Sequence, residues 1–485
     1  MRGIVRWDCS RGCRGFAAFA ILAAISCEEP SRLFFAGDEA RFHVSGVEET
    51  RSDGARFKIV DWREDARRFG EISDDGSIVV TNLPPGYWRL CTGEESLAFM
   101  VVVDPSRRRK PPDSPFAADS AFSWMTIANA YAPSFKSDYP AHLVRLMRAA
   151  GLTQTRERFC WSDVQKEKGG EIDWGRYLKN AKLLGENGVK ISWMNAGTPK
   201  FAGGAGNGWG SQSLAKDLVA VRDFCEEVGR AFGPYLADFE YLNEPDLMFP
   251  AWDAAAQYKA AAVGFSAAKS GVPTANFAMC LGVDFTYDNL VFDNDMAKYI
   301  DIFNIHHYGR LEEYDYFDAR IHRFLDKRGI GDMPIMITES GCEAEGEATL
   351  ATDTPRCKAQ TPEQEMIVAD FIPKAQIKRQ FGGVWRNHFF IFASFHERGG
   401  RKDWGLVRRD GSARPGIAAF SALTAVLDGA KMLGRVDLAP GVEAYLYDRG
   451  GGQKALAFWG SSKTFSISSD KPLLLVNWCE TPKPK

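Results

Sequence analysis

Strand-like and helix-like patterns alternate along residues 114–429, and this alternation limits the folds that the chain can adopt. Short apolar segments bounded by turn residues are typical of buried strands, and the longer segments between them have amphipathic helical patterns. Eight strands with interleaved helices predict an α/β fold, a closed (β/α)8 TIM barrel. An open doubly wound sheet is the alternative, but no glycine-rich phosphate loop follows the first predicted strand. The predicted strands are residues 122–129, 152–159, 189–195, 236–243, 276–281, 300–308, 333–339 and 384–393.

Two β-rich segments flank the predicted barrel. Residues 33–103 contain alternating or β-branched stretches separated by Asp-Gly, Pro-Pro-Gly and Thr-Gly turns, which predict a small N-terminal β-sandwich domain. Residues 104–113 are rich in proline and charge and are interpreted as a linker. Residues 430–485 return to short alternating strands and predict a C-terminal β domain. A chain of 485 residues is long enough for about three such units.

The first 27 residues have the pattern of an export signal. Arginines precede the apolar run at residues 15–25, which is too short to span a bilayer as a stable helix. The segment Ala24-Ile25-Ser26-Cys27 resembles a bacterial lipobox with Ala24 in place of the usual leucine, and Cys27 would become the lipidated first residue. Ordinary cleavage after Ser26 is the alternative. The sequence therefore predicts an exported bacterial protein, either a cell-envelope lipoprotein held to the membrane by this anchor or a secreted or periplasmic protein.

Composition and cysteine spacing exclude several kinds of partner. The formal net charge of −3 and the pI near 6.2 give no basic surface of the kind that binds nucleic acid. The sequence contains no Cys-x-x-Cys pair or Cys/His cluster of the kind that binds zinc.

Cys342 and Cys357 bracket a loop rich in Gly, Glu and Thr, and they could form a disulfide in an oxidising compartment.

Two glutamates that follow apolar strand-like segments are the candidate catalytic pair. Glu244 lies in Asn243-Glu244-Pro245 after residues 236–242, and Glu339 follows residues 333–338. A residue at the C-terminal end of a barrel strand projects into the mouth of the barrel. One glutamate in such a place is more often a solvated loop residue, but two can share one glycosidic bond as acid/base and nucleophile. The pair therefore favours a sugar-cleaving enzyme.

The order of these motifs resembles that of the clan A glycoside hydrolases. In that clan Asn-Glu-Pro ends the fourth barrel strand and a second glutamate ends the seventh, which are the positions of Glu244 and Glu339 in the predicted strand order. Residues 155–161, Thr-Arg-Glu-Arg-Phe-Cys-Trp, are similar to the second-strand region of family 39, and the overall pattern is closest to family 39-like and family 5-like members. The resemblance implies a retaining hydrolase of β-glycosidic bonds in oligo- or polysaccharides, with Glu339 as nucleophile, Glu244 as acid/base and no metal or organic cofactor.

The resemblance also implies roles for residues around the glutamates. Arg156 would bond the nucleophile and lower its pKa, with Arg158 on the same face of the strand. Asn243 would donate to the sugar 2-hydroxyl. His306 and Tyr308 would line the sugar pocket, with Tyr308 bonded to the nucleophile. Adjacent strand residues face opposite ways, so His307 faces away from His306 and Tyr308. This alternation argues against a two-histidine metal site.

Four further residues are candidates for sugar subsites. Trp404 would form part of a sugar platform, although a packed loop tryptophan is an equal interpretation. Trp193 and Asn195 lie near the end of the predicted third strand, and Trp209 lies in the glycine-rich loop at residues 203–210.

Two other functions are alternatives to a metal-free glycosidase. A non-catalytic carbohydrate-binding cell-surface lipoprotein would use the same fold, because fold and motif alone do not guarantee turnover. A metal-dependent barrel hydrolase would need a His/Asp ligand set at the strand ends that the sequence lacks.

Overall fold

A computed structural model describes most of the chain. The described residues are 24–45, 56–93, 95–109, 111, 113–127, 135, 138–206, 213–280, 285–342, 348–349, 358–397 and 402–460. Most of the predicted leader, Trp209, Cys357 and the last part of the predicted C-terminal domain lie outside these residues. The disulfide between Cys342 and Cys357 therefore stays a prediction.

The N-terminal region forms two sheets around a shared apolar core. A three-stranded antiparallel sheet has the order β1-β3-β6, and a five-stranded sheet has the order β2-β8-β7-β4-β5, in which β2 runs parallel to β8. Strand β3 alternates buried and exposed residues, so its buried face supplies the core. The strands are β1 (Ile25–Cys27), β2 (Leu33–Phe35), β3 (Ala40–Val44), β4 (Arg56–Asp61), β5 (Ala66–Glu71), β6 (Ser77–Val80), β7 (Gly86–Thr92) and β8 (Glu95–Val102).

Strand β1 contains residues that the predicted export signal would remove. Ile25 pairs with Val44 and Ser26 with His43, so both residues before Cys27 belong to the first sheet. Cleavage before Cys27 would leave that cysteine as the last remnant of β1. Lipidation of Cys27 stays a prediction.

The central region is a curled, all-parallel sheet of seven strands covered by helices. Its order is β12-β11-β10-β9-β17-β14-β13. Strand β10 is buried at every residue, as expected for a parallel strand with both faces covered. The strands are β9 (Phe116–Asp119), β10 (Gln154–Cys160), β11 (Lys190–Ala196), β12 (Leu236–Tyr241), β13 (Phe303–His306), β14 (Ile335–Ser340) and β17 (Val384–Phe390).

One extended segment bridges the two edges of this sheet. Phe239 on β12 pairs in parallel with Thr274, and Asn243 pairs with Ala278. On the other side Ala275 pairs with Ile302, and the N–H of His306 donates to the carbonyl of Met279 at 3.0 Å. Residues 274–279 therefore lie between β12 and β13, where the sequence predicts the fifth strand.

The predicted first strand is displaced from its observed position. The strand is β9, and residues 122–125, which were predicted to be part of it, form the helical turn α1. Ala121 has a φ of 42°, in the left-handed region, and this turn takes the chain out of the sheet before Phe122. Phe122 and Met125 are both buried at a helical spacing, so an apolar run was misread as a strand.

The helices follow the sequence patterns, and some of them start at side-chain caps. Asp138 caps α2 by accepting from the N–H of Ala141, and Gly151 ends that helix with a φ of 78°. Thr361 and Gln364 form a capping box at α9. The helices are α1 (Phe122–Met125), α2 (Tyr139–Ala150), α3 (Trp161–Val164), α4 (Gly175–Glu186), α5 (Leu218–Phe232), α6 (Ala251–Ala267), α7 (Thr286–Phe292), α8 (Tyr314–Lys327), α9 (Pro362–Phe381) and α10 (Pro415–Leu427).

Short strands complete the described chain. Strands β15 (Ala348–Thr349) and β16 (Lys358–Ala359) pair with each other, as do β18 (Phe395–Glu397) and β19 (Lys402–Trp404). A three-stranded antiparallel sheet follows α10, with strands β20 (Lys431–Arg435), β21 (Val442–Gly450) and β22 (Gln453–Gly460). Within the described residues, no helix has both the length and the apolar composition needed to cross a membrane.

Candidate active site

Glu339 lies on β14, and its carboxylate accepts hydrogen bonds at both oxygens. Oε1 accepts from Nη1 of Arg156 at 2.5 Å and from Nη2 of Arg158 at 2.7 Å. Oε2 accepts from the hydroxyl of Tyr308 at 2.7 Å. Burial acts to raise the pKa of this carboxyl, but the charges of His306 and both arginines, with the tyrosine hydrogen bond, lower it from 4.5 to about 2. Glu339 is therefore ionised at neutral pH, as the predicted nucleophile must be.

Two further carboxylates fix the arginines beneath Glu339. Arg156 and Arg158 lie on one face of β10 because side chains two residues apart on a strand point the same way. Asp119, at the end of β9, accepts from Nη1 of Arg156 at 3.1 Å and from Nη1 of Arg158. Glu240 on β12 accepts from Nη2 and Nε of Arg156 at 2.7 and 3.2 Å. All four side chains are buried, so these charges are balanced by one another and not by water.

Glu244 follows β12 at a backbone position that brings its side chain toward Glu339. Leu242 and Glu244 have φ values of 75° and 45°, a left-handed conformation that costs a non-glycine residue on the order of 1 kcal/mol. The N–H of Glu244 donates to the carbonyl of Ala278 at 3.0 Å, which ties this turn to the bridging segment. One carboxylate oxygen of Glu244 and one of Glu339 lie within 4.8 Å of each other.

His306 ends β13 and lies between the two glutamates. Its Nδ1 is 2.8 Å from Oε1 of Glu244 and 3.7 Å from Oε2 of Glu339. Burial acts to lower the pKa of this imidazole, but the two carboxylates outweigh it and raise the pKa above 6.5. His306 can therefore carry a proton and donate it in a hydrogen bond to Glu244.

Asn243 precedes the acid/base candidate and is oriented by the same arginine as the nucleophile. Its Oδ1 accepts from Nη2 of Arg156 at 2.9 Å. Its Nδ2 has no protein partner among the residues that the structure describes. The amide thus keeps its donor groups for another molecule.

Aromatic rings stand next to the carboxylate of Glu339. The ring of Tyr308 is 5.9 Å from that of Trp404 and 6.1 Å from that of Phe390, both edge-on. Tyr308 is 43% exposed, whereas Trp404 is 6% exposed and donates from Nε1 to Glu397 at 3.0 Å. Trp404 therefore offers little of its ring as a sugar platform in this conformation, and its role there stays a prediction.

The structure corrects the interpretation of two predicted subsite residues. Trp193 is fully buried and stacks on Phe159, with ring centroids 3.4 Å apart, and it also packs against Phe232 of α5. Asn195 shares the same face of β11 and is 1% exposed. Both side chains point outward to the helix layer, because only every second residue of a strand faces the interior. Neither is placed to touch a substrate.

His307 faces away from the glutamates, as the alternation of strand residues predicts. Its ring stacks on Phe317 of α8 at 3.7 Å, and Nδ1 bonds the guanidinium of Arg379. Burial and the charge of Arg379 lower the pKa of His307 to about 3. The imidazole is thus a neutral part of the layer between sheet and helices.

A metal ion has one place to bind among the described residues. Glu244, His306 and Glu339 each offer a ligand atom, and the three atoms lie within 4.8 Å of one another. The guanidinium groups of Arg156 and Arg158 already bond Oε1 of Glu339 and would repel a cation placed beside them. The expectation that no metal takes part stays a prediction.

Two residues of the charge cluster were missed in the sequence. Asp119 ends the strand that was placed too late in the chain, so its position at a strand end was not recognised. Glu240 lies two residues after Asp238 on β12, and the other residues of this strand are apolar or aromatic. Acidic residues at a spacing of two in a buried strand indicate a polar interior face, and that signal could have identified Glu240.

Comparisons with known proteins identify the fold. No protein-family model and no curated protein matches the chain. The solved structure of a family 39 glycoside hydrolase from the gut symbiont Bacteroides cellulosilyticus WH2 superposes with a TM-score of 0.65 at 15% identity, over 90% of both chains. A family 39 β-xylosidase from Caulobacter crescentus has a TM-score of 0.47 at 15% identity, over 70% of this chain and 78% of the other. A family 30 endoxylanase from Clostridium papyrosolvens C71 has a TM-score of 0.46 at 15% identity, over 72% and 82%.

The first of these superpositions covers almost the whole of both chains, and it shows a shared fold. The two lower scores add no support of their own. The chain therefore has the fold of this family 39 glycoside hydrolase.

Proposed function

We propose that the protein is a retaining glycoside hydrolase that cleaves β-glycosidic bonds of oligo- or polysaccharides through a covalent glycosyl-enzyme. The observation that carries this proposal is the pair of glutamates whose oxygens approach within 4.8 Å. Retaining enzymes hold their two carboxyl groups about 5–5.5 Å apart, and inverting enzymes hold them about 6.5–9.5 Å apart. An approach of single oxygens within 4.8 Å is compatible with the shorter of these carboxyl separations and supports retention.

In the first step Glu339 would act as the nucleophile and Glu244 as the acid. A lone pair of the Glu339 carboxylate forms a bond to the anomeric carbon, and the bond from that carbon to the leaving oxygen breaks with its electron pair. Glu244 gives its proton to that oxygen. The low pKa of Glu339 supports its role, because the group is ionised before substrate arrives.

In the second step Glu244 would act as a base. It takes a proton from water, and the resulting hydroxide attacks the anomeric carbon and releases the sugar from Glu339 with its configuration retained. His306 fixes the orientation of Glu244 in both steps. Asn243 would donate from Nδ2 to the sugar 2-hydroxyl, since its Oδ1 is already bonded to Arg156.

We further propose that residues 274–279 act as the fifth strand of a closed (β/α)8 barrel. Bridges to β12 on one side and to the start of β13 on the other support this closure. With that segment counted, Glu244 follows the fourth strand and Glu339 lies on the seventh. This order is the one that the resemblance to clan A implies.

Export of the protein is a separate proposal. The arginine-rich start and the apolar run at residues 15–25 support it, and a lipid on Cys27 distinguishes a lipoprotein from a protein cleaved in the ordinary way after Ser26. Mass spectrometry of the mature N-terminus would find a lipid on Cys27 in a lipoprotein. A chain that retains Ile25 and Ser26 would contradict lipidation at Cys27 and preserve strand β1.

Hydrolysis of a panel of aryl β-glycosides and β-linked oligosaccharides tests the proposed activity. The wild-type protein should cleave at least one member, and Glu339→Ala should abolish that cleavage. Glu244→Ala should also be slow, but azide should restore turnover and give a β-glycosyl azide, because azide needs no base to attack the glycosyl-enzyme.

The control is Asp238→Asn, which removes a buried carboxylate of the same sheet that contacts neither glutamate. This variant should retain turnover. Binding of sugars with no cleavage by the wild-type protein would contradict the proposal and favour the non-catalytic carbohydrate-binding protein.

A further inference from the structure

The buried cluster beneath the nucleophile contains one more carboxylate than it contains arginines. The guanidinium groups of Arg156 and Arg158 meet the carboxylates of Asp119, Glu240 and Glu339. None of these groups is exposed enough for water to screen its charge. Within this hydrogen-bonded cluster two guanidinium cations therefore face three carboxylates, and the imidazole of His306 lies outside the cluster, 3.7 Å from Oε2 of Glu339.

This imbalance disappears when a glycosyl-enzyme forms. Glu339 loses its negative charge as it becomes an ester, and Asp119 and Glu240 then balance the two arginines one for one. Without them, the intermediate would contain two buried guanidinium ions with no counter-charge, which is strongly unfavourable. The cluster is thus suited to the covalent state.

The two oxygens of Glu339 have different partners. Oε1 accepts from both guanidinium groups, whereas Oε2 accepts only from the neutral hydroxyl of Tyr308 among the described side chains and lies 3.7 Å from His306. Nδ1 of His306, which bonds Glu244, lies nearest to Oε2, so Oε2 is the oxygen on the side of the acid/base candidate. The oxygen with fewer bonds to cations has the more available lone pair.

We propose that Asp119 is a positioning residue that balances the charge of Arg156 and Arg158, so that Oε1 of Glu339 stays anchored while Oε2 attacks the anomeric carbon. Like Glu339, Asp119 accepts hydrogen bonds from both Arg156 and Arg158. Its backbone position is fixed as well, because Oδ1 accepts from the N–H of Ala121 at 3.0 Å. This inference rests on the proposed function.

The proposal predicts opposite effects on the two chemical steps. Removing the charge of Asp119 leaves an excess of positive charge next to Glu339, and this stabilises the free carboxylate relative to the ester. Attack by Oε2 then becomes slower, whereas departure of the carboxylate in the second step becomes no slower. The other groups that face Glu339, His306 and Tyr308, are unchanged in this comparison.

Pre-steady-state hydrolysis of a 2,4-dinitrophenyl β-glycoside that the wild-type protein turns over separates the two steps. In Asp119→Asn we expect kcat/KM, which reports glycosylation, to fall about ten-fold, equivalent to one pKa unit of changed interaction. The burst of dinitrophenol should shrink, and the deglycosylation rate constant should not fall. Glu240→Gln should also lower kcat/KM without lowering the deglycosylation rate constant. If circular dichroism shows that Asp119→Asn does not fold, the same measurements on Glu240→Gln replace it.

The matched control is again Asp238→Asn, because Asp238 is a buried carboxylate bonded to Gln154, Ser192 and Arg386 with no hydrogen bond to Arg156 or Arg158. Its variant should leave the ratio of the two rate constants unchanged. An equal fall of both steps in Asp119→Asn, or a ratio like that of the control, would overturn the role of Asp119 and leave the hydrolase intact. Absence of turnover by the wild-type protein on every glycoside would instead overturn the proposed function and this inference with it.

Discussion

Nδ1 of His306, at the end of β13, lies 2.8 Å from Oε1 of Glu244, which follows β12. This hydrogen bond orients the candidate acid/base, and one of the carboxylate oxygens of Glu244 lies within 4.8 Å of one of Glu339. Because His306 also faces Glu339, the two carboxylates share one imidazole between them. The imidazole therefore bonds the candidate acid/base and lies next to the candidate nucleophile.

Replacing His306 with phenylalanine should impair proton donation more than nucleophilic attack. Positioned general acids contribute about 10²–10⁴-fold to rate, so we expect kcat/KM for a phenyl β-glycoside to fall about 10²-fold. A 2,4-dinitrophenyl glycoside, whose leaving group needs no proton, should lose less than about ten-fold. Equal losses on both substrates would contradict the role of His306 in orienting Glu244.

Replacing Tyr308 with phenylalanine should move the acidic limb of the pH profile upward. The folded-state pKa of Glu339 is below its ordinary value, so the reactive carboxylate is lost only as pH falls through about 2. A hydrogen bond to a charged group contributes about 1.5–3 kcal/mol, which is roughly one to two pKa units. For Tyr308→Phe, kcat/KM should therefore fall as the pH drops through about 3–4, a range in which circular dichroism should show the protein still folded. An acidic limb of the kcat/KM profile at the same pH as in the wild-type protein would contradict the hydrogen bond at Oε2.

Removing Arg156 should destabilise the fold as well as the site. Arg156→Met leaves Asp119 and Glu240 buried with too little positive charge, and breaking such a pair costs about 3–5 kcal/mol in free energy of unfolding. Urea denaturation measures this loss. Arg310→Met is the control, since Arg310 pairs with Glu313 at the surface and should cost about 0–1 kcal/mol. Equal stability of the two variants would show that the buried cluster does not support the fold.

Glu157 should make stability fall as the pH rises. Its side chain is buried with hydrogen bonds from the backbone N–H groups of Ser123 and Arg158, and burial raises its pKa from 4.5 to about 8. A raised folded-state pKa means that its stabilisation is complete below about 4.5 and is lost as pH rises through about 8. Between these values the wild-type protein should lose up to about 1.4 kcal/mol per pH unit relative to Glu157→Gln in urea denaturation. Parallel stability curves for the two proteins would contradict this protonation.

Much of the fold was accessible from the sequence because buried parallel strands are apolar runs. The predicted segments at 152–159, 189–195 and 384–393 overlap β10, β11 and β17, and two predicted helices, Tyr139–Ala150 and Pro362–Phe381, agree at both ends. The first strand was misplaced since Phe122 and Met125 are as apolar as a strand, and the turn at Ala121 has no glycine to mark it.

Site residues at the ends of strands could be predicted from the sequence. Site residues whose role depends on how neighbouring strands pair could not. Glu244, Glu339, His306 and Tyr308 could be placed because each follows or ends an apolar run, and Arg156 by the resemblance. Trp193 and Asn195 were misassigned because the face on which a strand residue lies follows from register, and register depends on neighbouring strands. The role of Asp119 is visible only once β9 and β10 are paired.

The stereochemistry of hydrolysis tests the central claim most directly. Proton NMR in D2O can follow the first product released from a β-glycoside before the free sugar mutarotates. The proximity of Glu244 and Glu339 predicts that the β-anomer appears first, by double displacement. Initial release of the α-anomer would show inversion and contradict the assignment of Glu339 as the nucleophile.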